Sequence, residues 1–202
     1  MNILYCFITH QRNIFNSFPR IVDMMQSLDI KDYLLCYGGV RSEYDANNKI
    51  LQIMSNDYYE GLPEKVVKMF NFISKHNELN KFSHYIKLDD DITIMQQVNN
   101  ITDDYCGIIY SPSNMNRVYH IGRCSKDSKF NNMTFEGEAA KSWCLGGNGY
   151  VLSNKAMNIV SQDTDYYNEI YEDMYVAKIL KRNNIEPKDF PHIRDYLSSP
   201  HH

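Results

Sequence analysis

The first half of the sequence alternates short apolar runs with segments of helical spacing, and few folds accommodate this alternation. Four runs are apolar and strand-like: residues 3–9, 33–37, 50–54 and 84–88. Two intervening segments, residues 18–28 and 62–75, repeat apolar residues at the spacing of one helix face. The order strand, helix, strand, strand, helix, strand predicts an α/β fold with a mostly parallel central sheet flanked by helices.

The last of these runs leads into three consecutive carboxylates, in the segment Lys87-Leu88-Asp89-Asp90-Asp91. Ligands of parallel sheets gather beyond the carboxyl ends of the strands. Adjacent acids repel one another, and carboxylate oxygens are the ligands that Mg²⁺ and Mn²⁺ prefer. The triplet therefore predicts a divalent-cation site that a phosphate-bearing substrate could complete. An acidic surface turn is the alternative interpretation.

Composition limits the size of the fold and the class of function. With 202 residues, of which 43% are hydrophobic and 23% charged, the chain fits a single soluble domain over residues 1–202. A net charge of −4 provides no general basic surface, so nucleic acid is not an expected partner. The five cysteines are widely spaced, which predicts neither a disulfide framework nor a metal–thiolate site. No signal peptide or membrane span is recognisable, and a cytoplasmic location is expected.

The second half contains two segments that could carry chemistry. Trp143, the only tryptophan, precedes the glycine-rich segment 146–149, which suits close backbone approach to a ligand or a tight turn before a strand. Glu172 and Asp173 open a helical pattern. Acids at this position commonly cap a helix, but one of them could face a cleft as a general base. The intervening stretch, residues 111–142, is rich in loops.

Histidines could add a nitrogen ligand to a metal site. His192, which lies in a loop among apolar neighbours, is the first candidate, although such a histidine is commonly structural. His84 and His120 are further candidates. His201 and His202 end the chain, where residues are commonly frayed.

Four segments, in register, resemble the inverting β-1,3-glycosyltransferases of the galactosyltransferase and fringe type. Residues 57–65 are similar to that family's D-x-Y-x-N-L-T-x-K, and residues 87–91 to its K-x-D-D-D. Residues 146–153 are similar to G-x-G-Y-x-x-S, and residues 172–176 to E-D-V-Y-V-G. The resemblance covers residues 55–183. The chain departs from the pattern at Gly61, Pro63 and Ala177, where the family usually has Asn, Thr and Gly.

The resemblance implies a GT-A-type nucleotide-sugar-binding fold, with a nucleotide-sugar-binding half over residues 1–95 and an acceptor and catalytic half over residues 96–202. It also implies a metal-dependent transferase that uses Mn²⁺, or Mg²⁺ in its place. Such an enzyme moves a hexose or N-acetylhexosamine from a UDP-sugar to a hydroxyl of a glycan, protein or lipid, in a β-1,3 linkage. Family members commonly carry a membrane anchor and paired cysteines, so the chain looks like a minimal soluble member of viral or microbial origin.

Carried over by position, Asp89 and Asp91 would bind the metal, with His192 as a further ligand. Asp173, or alternatively Glu172, would be the catalytic base. The candidates for substrate contacts are Thr9, Arg12, Asp57, Lys65, Lys87, Asp89, Asp90, Trp143, Gly146 and Gly147. Two alternatives stay open: a metal-dependent phosphohydrolase or nucleotidyltransferase, and a non-catalytic sugar-nucleotide-binding relative.

Overall fold

The computed structural model describes residues 2–200; Met1, His201 and His202 lie outside the described residues. The strands are β1 (Ile3–Thr9), β2 (Tyr33–Gly39), β3 (Glu43–Asp45), β4 (Ile50–Met54), β5 (His84–Asp89), β6 (Thr93–Ile94), β7 (Tyr105–Gly107), β8 (Ile109–Tyr110), β9 (Trp143–Cys144), β10 (Tyr150–Ser153), β11 (Lys188–Asp189) and β12 (Leu197–Ser198). The α-helices are α1 (Ile14–Ser27), α2 (Leu62–Lys75), α3 (Asn154–Val160), α4 (Glu172–Arg182) and α5 (Ile193–Tyr196). Short 3-10 turns occupy Tyr59–Gly61, Lys129–Asn132, Gly146–Asn148 and Tyr166–Asn168.

Eight strands form one mixed sheet in the order β11, β7, β10, β5, β1, β2, β4, β3. Its centre is parallel, because β1 pairs in parallel with both β2 and β5, and β2 pairs in parallel with β4. Strand β10 runs antiparallel to β5 and β7, and β3 runs antiparallel to β4. The predicted α/β class, with a mostly parallel central sheet flanked by helices, is confirmed. Strands from both halves of the chain share this sheet.

Helices cover both faces of the sheet, so the central strand is buried along its whole length. All seven residues of β1 are buried. Successive side chains alternate between the faces: Leu4 and Cys6 join the hydrophobic cluster that includes α2, α3 and α4, while Tyr5 and Phe7 join the cluster that includes α1. This three-layer arrangement explains why residues 3–9 read as a continuous apolar run.

Several predicted boundaries agree with the structure, and two predictions need correction. Strands β1 and β4 and helix α2 begin and end where the apolar patterns predict. Helix α1 begins at Ile14, four residues before the helical segment predicted over residues 18–28. The apolar pattern misses this first turn because Phe15 is solvent-exposed and Ser17 fills the buried position. Strand β3 was not predicted, since its three residues form no apolar run at the sheet edge.

Two further features bear on the sequence-based expectations. All five cysteines carry free thiols, and four of them are buried. Among residues 2–200, no helix combines the length and the apolar character needed to cross a membrane.

The carboxyl ends of β1 and β2 are tied to helix α2 by one buried ion pair. Lys65, whose side chain is fully buried, places its Nζ 2.6 Å from Asp57 Oδ1 and 3.1 Å from the carbonyl oxygen of Thr9. Asp57 Oδ1 also accepts a hydrogen bond from the backbone N–H of Gly38, at 2.7 Å. These contacts fix the carboxyl ends of the central strands, where the acidic triplet also lies.

Gly149, immediately before β10, offers a test of how tightly the carboxyl end of β5 is packed. Its φ is +78°, and an added Cβ would lie 2.8 Å from Leu88 Cδ2. Gly122 has a similar φ of +79° but faces open space. We expect Gly122→Ala to lower the free energy of unfolding by about 1 kcal/mol, and Gly149→Ala by about 3 kcal/mol, because only the second adds overpacking to backbone strain. Urea denaturation measures both; equal losses would contradict the close packing at Gly149.

Candidate active site

A cavity of about 430 Å³ opens beside the carboxyl end of β5. This volume lies within the range of small-molecule sites in proteins. Three distant segments supply the predicted site residues that line it: Lys87, Asp89, Trp143, Gly146, Gly147, Glu172 and Asp173. The structure therefore brings the strand end, the glycine-rich turn and the start of α4 together at one place.

Lys87 is the charged centre of this arrangement. It belongs to β5 and is 2% exposed, and its Nζ lies 2.6 Å from Asp89 Oδ1 and 3.1 Å from Glu172 Oε2. Burial favours the neutral amine, but the carboxylates of Asp89 and Glu172 outweigh that effect and raise the pKa of Lys87 above its ordinary value. Lys87 is therefore a buried cation that links the end of β5 to the start of α4.

Glu172 is held on both of its carboxylate oxygens. Oε2 contacts Lys87, and Oε1 accepts a hydrogen bond from the hydroxyl of Tyr150, the residue paired with Lys87 across β10 and β5. Glu172 is 6% exposed, and burial raises its pKa while Lys87 opposes the rise. Because its charge is paired with Lys87 and its side chain is almost fully buried, Glu172 is placed to organise the site.

Asp173 is half-buried in the cavity wall and is held by backbone donors. Oδ2 accepts the N–H of Gly146 at 2.9 Å, and Oδ1 accepts the N–H of Met174 at 2.8 Å. Burial raises the pKa of Asp173, and these two N–H groups act against that rise. Carboxylate oxygens keep further lone pairs, so Asp173 can still accept a proton from a group in the cavity.

Gly146 is required by this close approach. A Cβ at this position would lie 3.1 Å from both Asp173 Cβ and Glu172 Oε2. The glycine-rich turn predicted from the sequence thus brings the backbone N–H of Gly146 against the carboxylate of Asp173. The same turn places Gly147 beside Trp143 in the cavity wall.

Asp90, the middle residue of the triplet, makes its contacts with residues outside the cavity lining. Its Oδ2 accepts hydrogen bonds from Thr9 Oγ1, at 2.5 Å, and from the hydroxyl of Ser17. It thereby joins the end of β1 to helix α1. Thr9 and Asp90 lie outside the residues that line the cavity, and Arg12 is exposed in the turn before α1.

Asp57 and Lys65 are a second pair of predicted substrate residues that lie outside the cavity lining. They form an ion pair with each other beside the carboxyl ends of β1 and β2. The N–H of Gln11 also donates to Asp57 Oδ2, at 2.5 Å, which fixes the loop between β1 and α1. In this structure, both residues shape the scaffold around the site.

The predicted metal ligands are not assembled into one cluster. Asp89 lines the cavity, Asp91 is exposed outside its lining, and exposed His192 contacts Asp195 at 3.1 Å. Over the described range 2–200, no group of three His, Cys, Asp or Glu side chains is arranged to hold a metal ion.

The two further histidine candidates are occupied elsewhere. His120 is fully buried, and its ring nitrogens lie 2.9 Å from the Tyr171 hydroxyl and 2.9 Å from the Met133 carbonyl oxygen. His84 Nδ1 lies 3.2 Å from the hydroxyl of Ser83.

Sequence reasoning missed several other residues that line the cavity: Tyr59, Tyr110, Met115, Asn116, Tyr119, Arg123, Asn148 and Tyr171. Most belong to the loop-rich stretch or flank it. The only signal in the sequence was its richness in tyrosine, which suits sugar-stacking walls and ordinary cores alike. The sequence of a loop has no periodic pattern from which to predict which side chains line a cavity.

Comparisons with known proteins leave the family open. No family model matches the sequence, and no curated protein matches it. Among solved structures, the chain is similar to one described as a glucose-1-phosphate thymidylyltransferase from Bacillus anthracis in complex with sucrose. The TM-score is 0.44 and the identity 8%, over 93% of this chain and 87% of that one. A likeness at this level carries no argument about activity.

Removal of the buried cation should destabilise the protein. We expect Lys87→Met to lower the free energy of unfolding by about 3 kcal/mol at about pH 7.5, because Glu172 and Asp89 lose their counter-charge. The loss should shrink at about pH 5, since a carboxyl whose folded pKa is raised takes up a proton and stabilises the folded state as pH falls. Urea denaturation at the two pH values measures this.

Lys155→Met is the matched control, because the side chain of Lys155 is 67% exposed where it pairs with Asp104. Its loss should stay below about 1 kcal/mol. A loss in Lys87→Met no larger than the control's, or one that grows as pH falls, would contradict the role given to Lys87.

Proposed function

We propose that this chain is a metal-dependent inverting glycosyltransferase with a GT-A-type fold. It transfers a hexose or N-acetylhexosamine from a UDP-sugar to an acceptor hydroxyl, forming a β-1,3 linkage. One observation carries the proposal: the strand-end carboxylate Asp89 and the helix-start carboxylate Asp173 share one cavity with Trp143 and the Gly146 turn. The four segments that resemble the glycosyltransferase family include all of these residues except Trp143, which lies three residues before the third segment.

Asp173 acts as the general base. It takes the proton of the acceptor hydroxyl while the acceptor oxygen forms a bond to the anomeric carbon of the donor. The bond from that carbon to the diphosphate oxygen breaks, and the nucleoside diphosphate leaves with the electron pair. Burial, which raises the pKa of Asp173, makes its carboxylate a stronger base, and the N–H groups of Gly146 and Met174 fix its orientation.

Asp89 and Asp91 would hold the cation. One or two carboxylates, completed by substrate phosphates and water, are a common way to bind Mg²⁺. The acidic donors therefore fit a cation that arrives with the diphosphate rather than one held in a protein cage. When bound, Mn²⁺ or Mg²⁺ neutralises the charge that develops on the leaving diphosphate. Lys87 meanwhile holds Asp89 in the cavity wall through Oδ1.

The base assignment predicts a selective loss of turnover. Asp173→Asn should lower the rate of UDP release about a thousandfold in the presence of acceptors, because a general base contributes on the order of 10²–10⁴. UDP-sugar affinity should stay near that of the wild type, since asparagine preserves the side-chain shape. Initial rates across a panel of UDP-sugars and acceptors, with calorimetry for binding, measure the two effects.

The pH profile supplies a second readout of the same assignment. In the wild type, kcat/KM should fall as pH drops through the raised pKa of Asp173, above the ordinary aspartate value of about 3.9. Asp165→Asn, which changes a carboxylate that is 78% exposed, is the matched control and should keep full turnover. Unchanged turnover in Asp173→Asn together with loss in Glu172→Gln would move the base to Glu172.

Removal of divalent cations should abolish donor binding. After treatment with EDTA, we expect no UDP binding by calorimetry, and Mn²⁺ should restore it because the diphosphate completes the coordination shell. Asp89→Asn should weaken UDP binding by about tenfold or more even with Mn²⁺. Asp29→Asn, which changes an exposed acid outside the cavity lining, is the control.

Two results would contradict the proposal. Wild-type protein that binds no UDP in the presence of Mn²⁺ would remove the glycosyltransferase interpretation. Release of pyrophosphate from a nucleoside triphosphate and a sugar phosphate would instead assign the site to a nucleotidyltransferase.

A further inference from the structure

Arg123 is a positively charged side chain in the lining of the cavity that also contains Asp89, Glu172 and Asp173. It is exposed, and its guanidinium carbon lies 3.9 Å from the ring centre of Tyr119. The ion pairs found within residues 2–200 do not include Arg123. A guanidinium stacked on a ring keeps its N–H groups available in the ring plane, where they can bind a carboxylate or phosphate through two parallel hydrogen bonds.

The backbone on both sides of Arg123 is anchored to the protein interior. Its own N–H donates to the carbonyl oxygen of His120 at 3.0 Å, and His120 is fully buried with both ring nitrogens in contact with polar groups. Two residues further on, Ser125 donates to the Glu60 carboxylate through its N–H, at 3.1 Å, and through its hydroxyl, at 2.5 Å. Arg123 is thus presented by a fixed loop, which lowers the entropic cost of binding a ligand.

Tyr59 is linked to Arg123 through Tyr119. Its ring centre is 6.4 Å from that of Tyr119, and both tyrosines line the cavity. Burial raises the pKa of Tyr59, the carboxylate of Asp173 adds to the rise, and Arg123 opposes it. Direct contacts form two groups in the cavity lining: Asp89, Lys87 and Glu172 next to Asp173, and Arg123, Tyr119 and Tyr59.

The two groups can serve the two substrates of the proposed reaction. In the proposed reaction the diphosphate leaves beside Asp89, and the base takes its proton from an acceptor on the opposite face of the donor sugar. The second group, Tyr59, Tyr119 and Arg123, then remains for the acceptor. Aromatic rings provide broad, rigid surfaces for a sugar ring, and Arg123 supplies charge specificity.

We propose that the acceptor is an anionic sugar, whose ring packs on Tyr59 and Tyr119 and whose carboxylate or phosphate pairs with Arg123. The inference rests on the proposed function, because it names the acceptor class of the same site. A neutral acceptor would leave the Arg123 guanidinium paired only with solvent.

Trp143 provides a readout that needs no turnover. It is the only tryptophan of the chain and lines the cavity, so its fluorescence should report binding directly. We would titrate the protein, with Mn²⁺ and UDP present, with methyl β-glucuronide, methyl β-glucoside 6-phosphate and neutral methyl β-glucoside. At least one anionic glycoside should bind about tenfold more tightly than the neutral one, as a charge-assisted bidentate contact allows. Comparison of the two anionic glycosides separates carboxylate from phosphate recognition.

Variants of the loop then assign the preference to one side chain. Arg123→Gln should remove the preference for an anionic glycoside, and Arg123→Lys should keep part of it, because lysine retains charge without the planar fork. Affinity for the neutral glycoside should not change. Lys126→Gln removes the same charge from the same loop outside the cavity lining and should behave as the wild type.

Equal binding of neutral and anionic glycosides would overturn the inference. So would an Arg123→Gln variant that loses affinity for UDP while glycoside binding is unchanged, since Arg123 would then serve the donor. Transfer from a UDP-sugar to neutral acceptors, unaffected by Arg123→Gln, would refute the acceptor class and leave the proposed function intact. Conversely, an Arg123-dependent anion preference in a protein without transferase turnover would refute the proposed function and leave the anion site.

Discussion

The buried ammonium group of Lys87 is the interaction on which the candidate site depends. It neutralises part of an acidic cluster that could not otherwise be held together inside the protein, because buried carboxylates without a counter-charge are costly. Lys87 contacts Asp89 at the end of β5 and Glu172 at the start of α4, and Tyr150 of β10 donates a hydrogen bond to Glu172. We call these four residues the acidic unit. The two adjacent acids therefore differ in their surroundings. Glu172 is held by Lys87 and Tyr150, whereas Asp173 is half-buried in the cavity wall.

The sequence predicts the scaffold well because the scaffold is built from periodic apolar patterns. Strand β1 and helix α2 have the predicted bounds, since burial on two faces or on one stripe leaves a regular trace. The acidic triplet shows where such reasoning stops. Its residues look equivalent in sequence, yet Asp89 ends the strand at the cavity, while Asp90 turns towards Thr9 and Asp91 is exposed.

The loop-rich wall could not be predicted for a different reason. Tyr119 and Arg123 are placed by contacts between distant parts of the chain, such as the hydrogen bonds from Ser125 to Glu60, 65 positions away. No local pattern records such contacts, because the loop takes its shape from what it packs against rather than from its own propensity. Predictions for Thr9, Asp57 and Lys65 as substrate residues stay untested, although each already has a partner in the scaffold.

The placement of β10 between β5 and β7 has a consequence for how the molecule forms. Because Tyr150 pairs with Lys87 across strands 63 positions apart, the acidic unit is complete only after a long chain loop has closed. Pairings of this kind are slow and come late in folding. A shift of one residue in this register would turn Tyr150 to the other face of the sheet and away from Glu172. The candidate site therefore forms only when this pairing is in the correct register. A misregistered intermediate would retain much of its secondary structure and still lack the cavity.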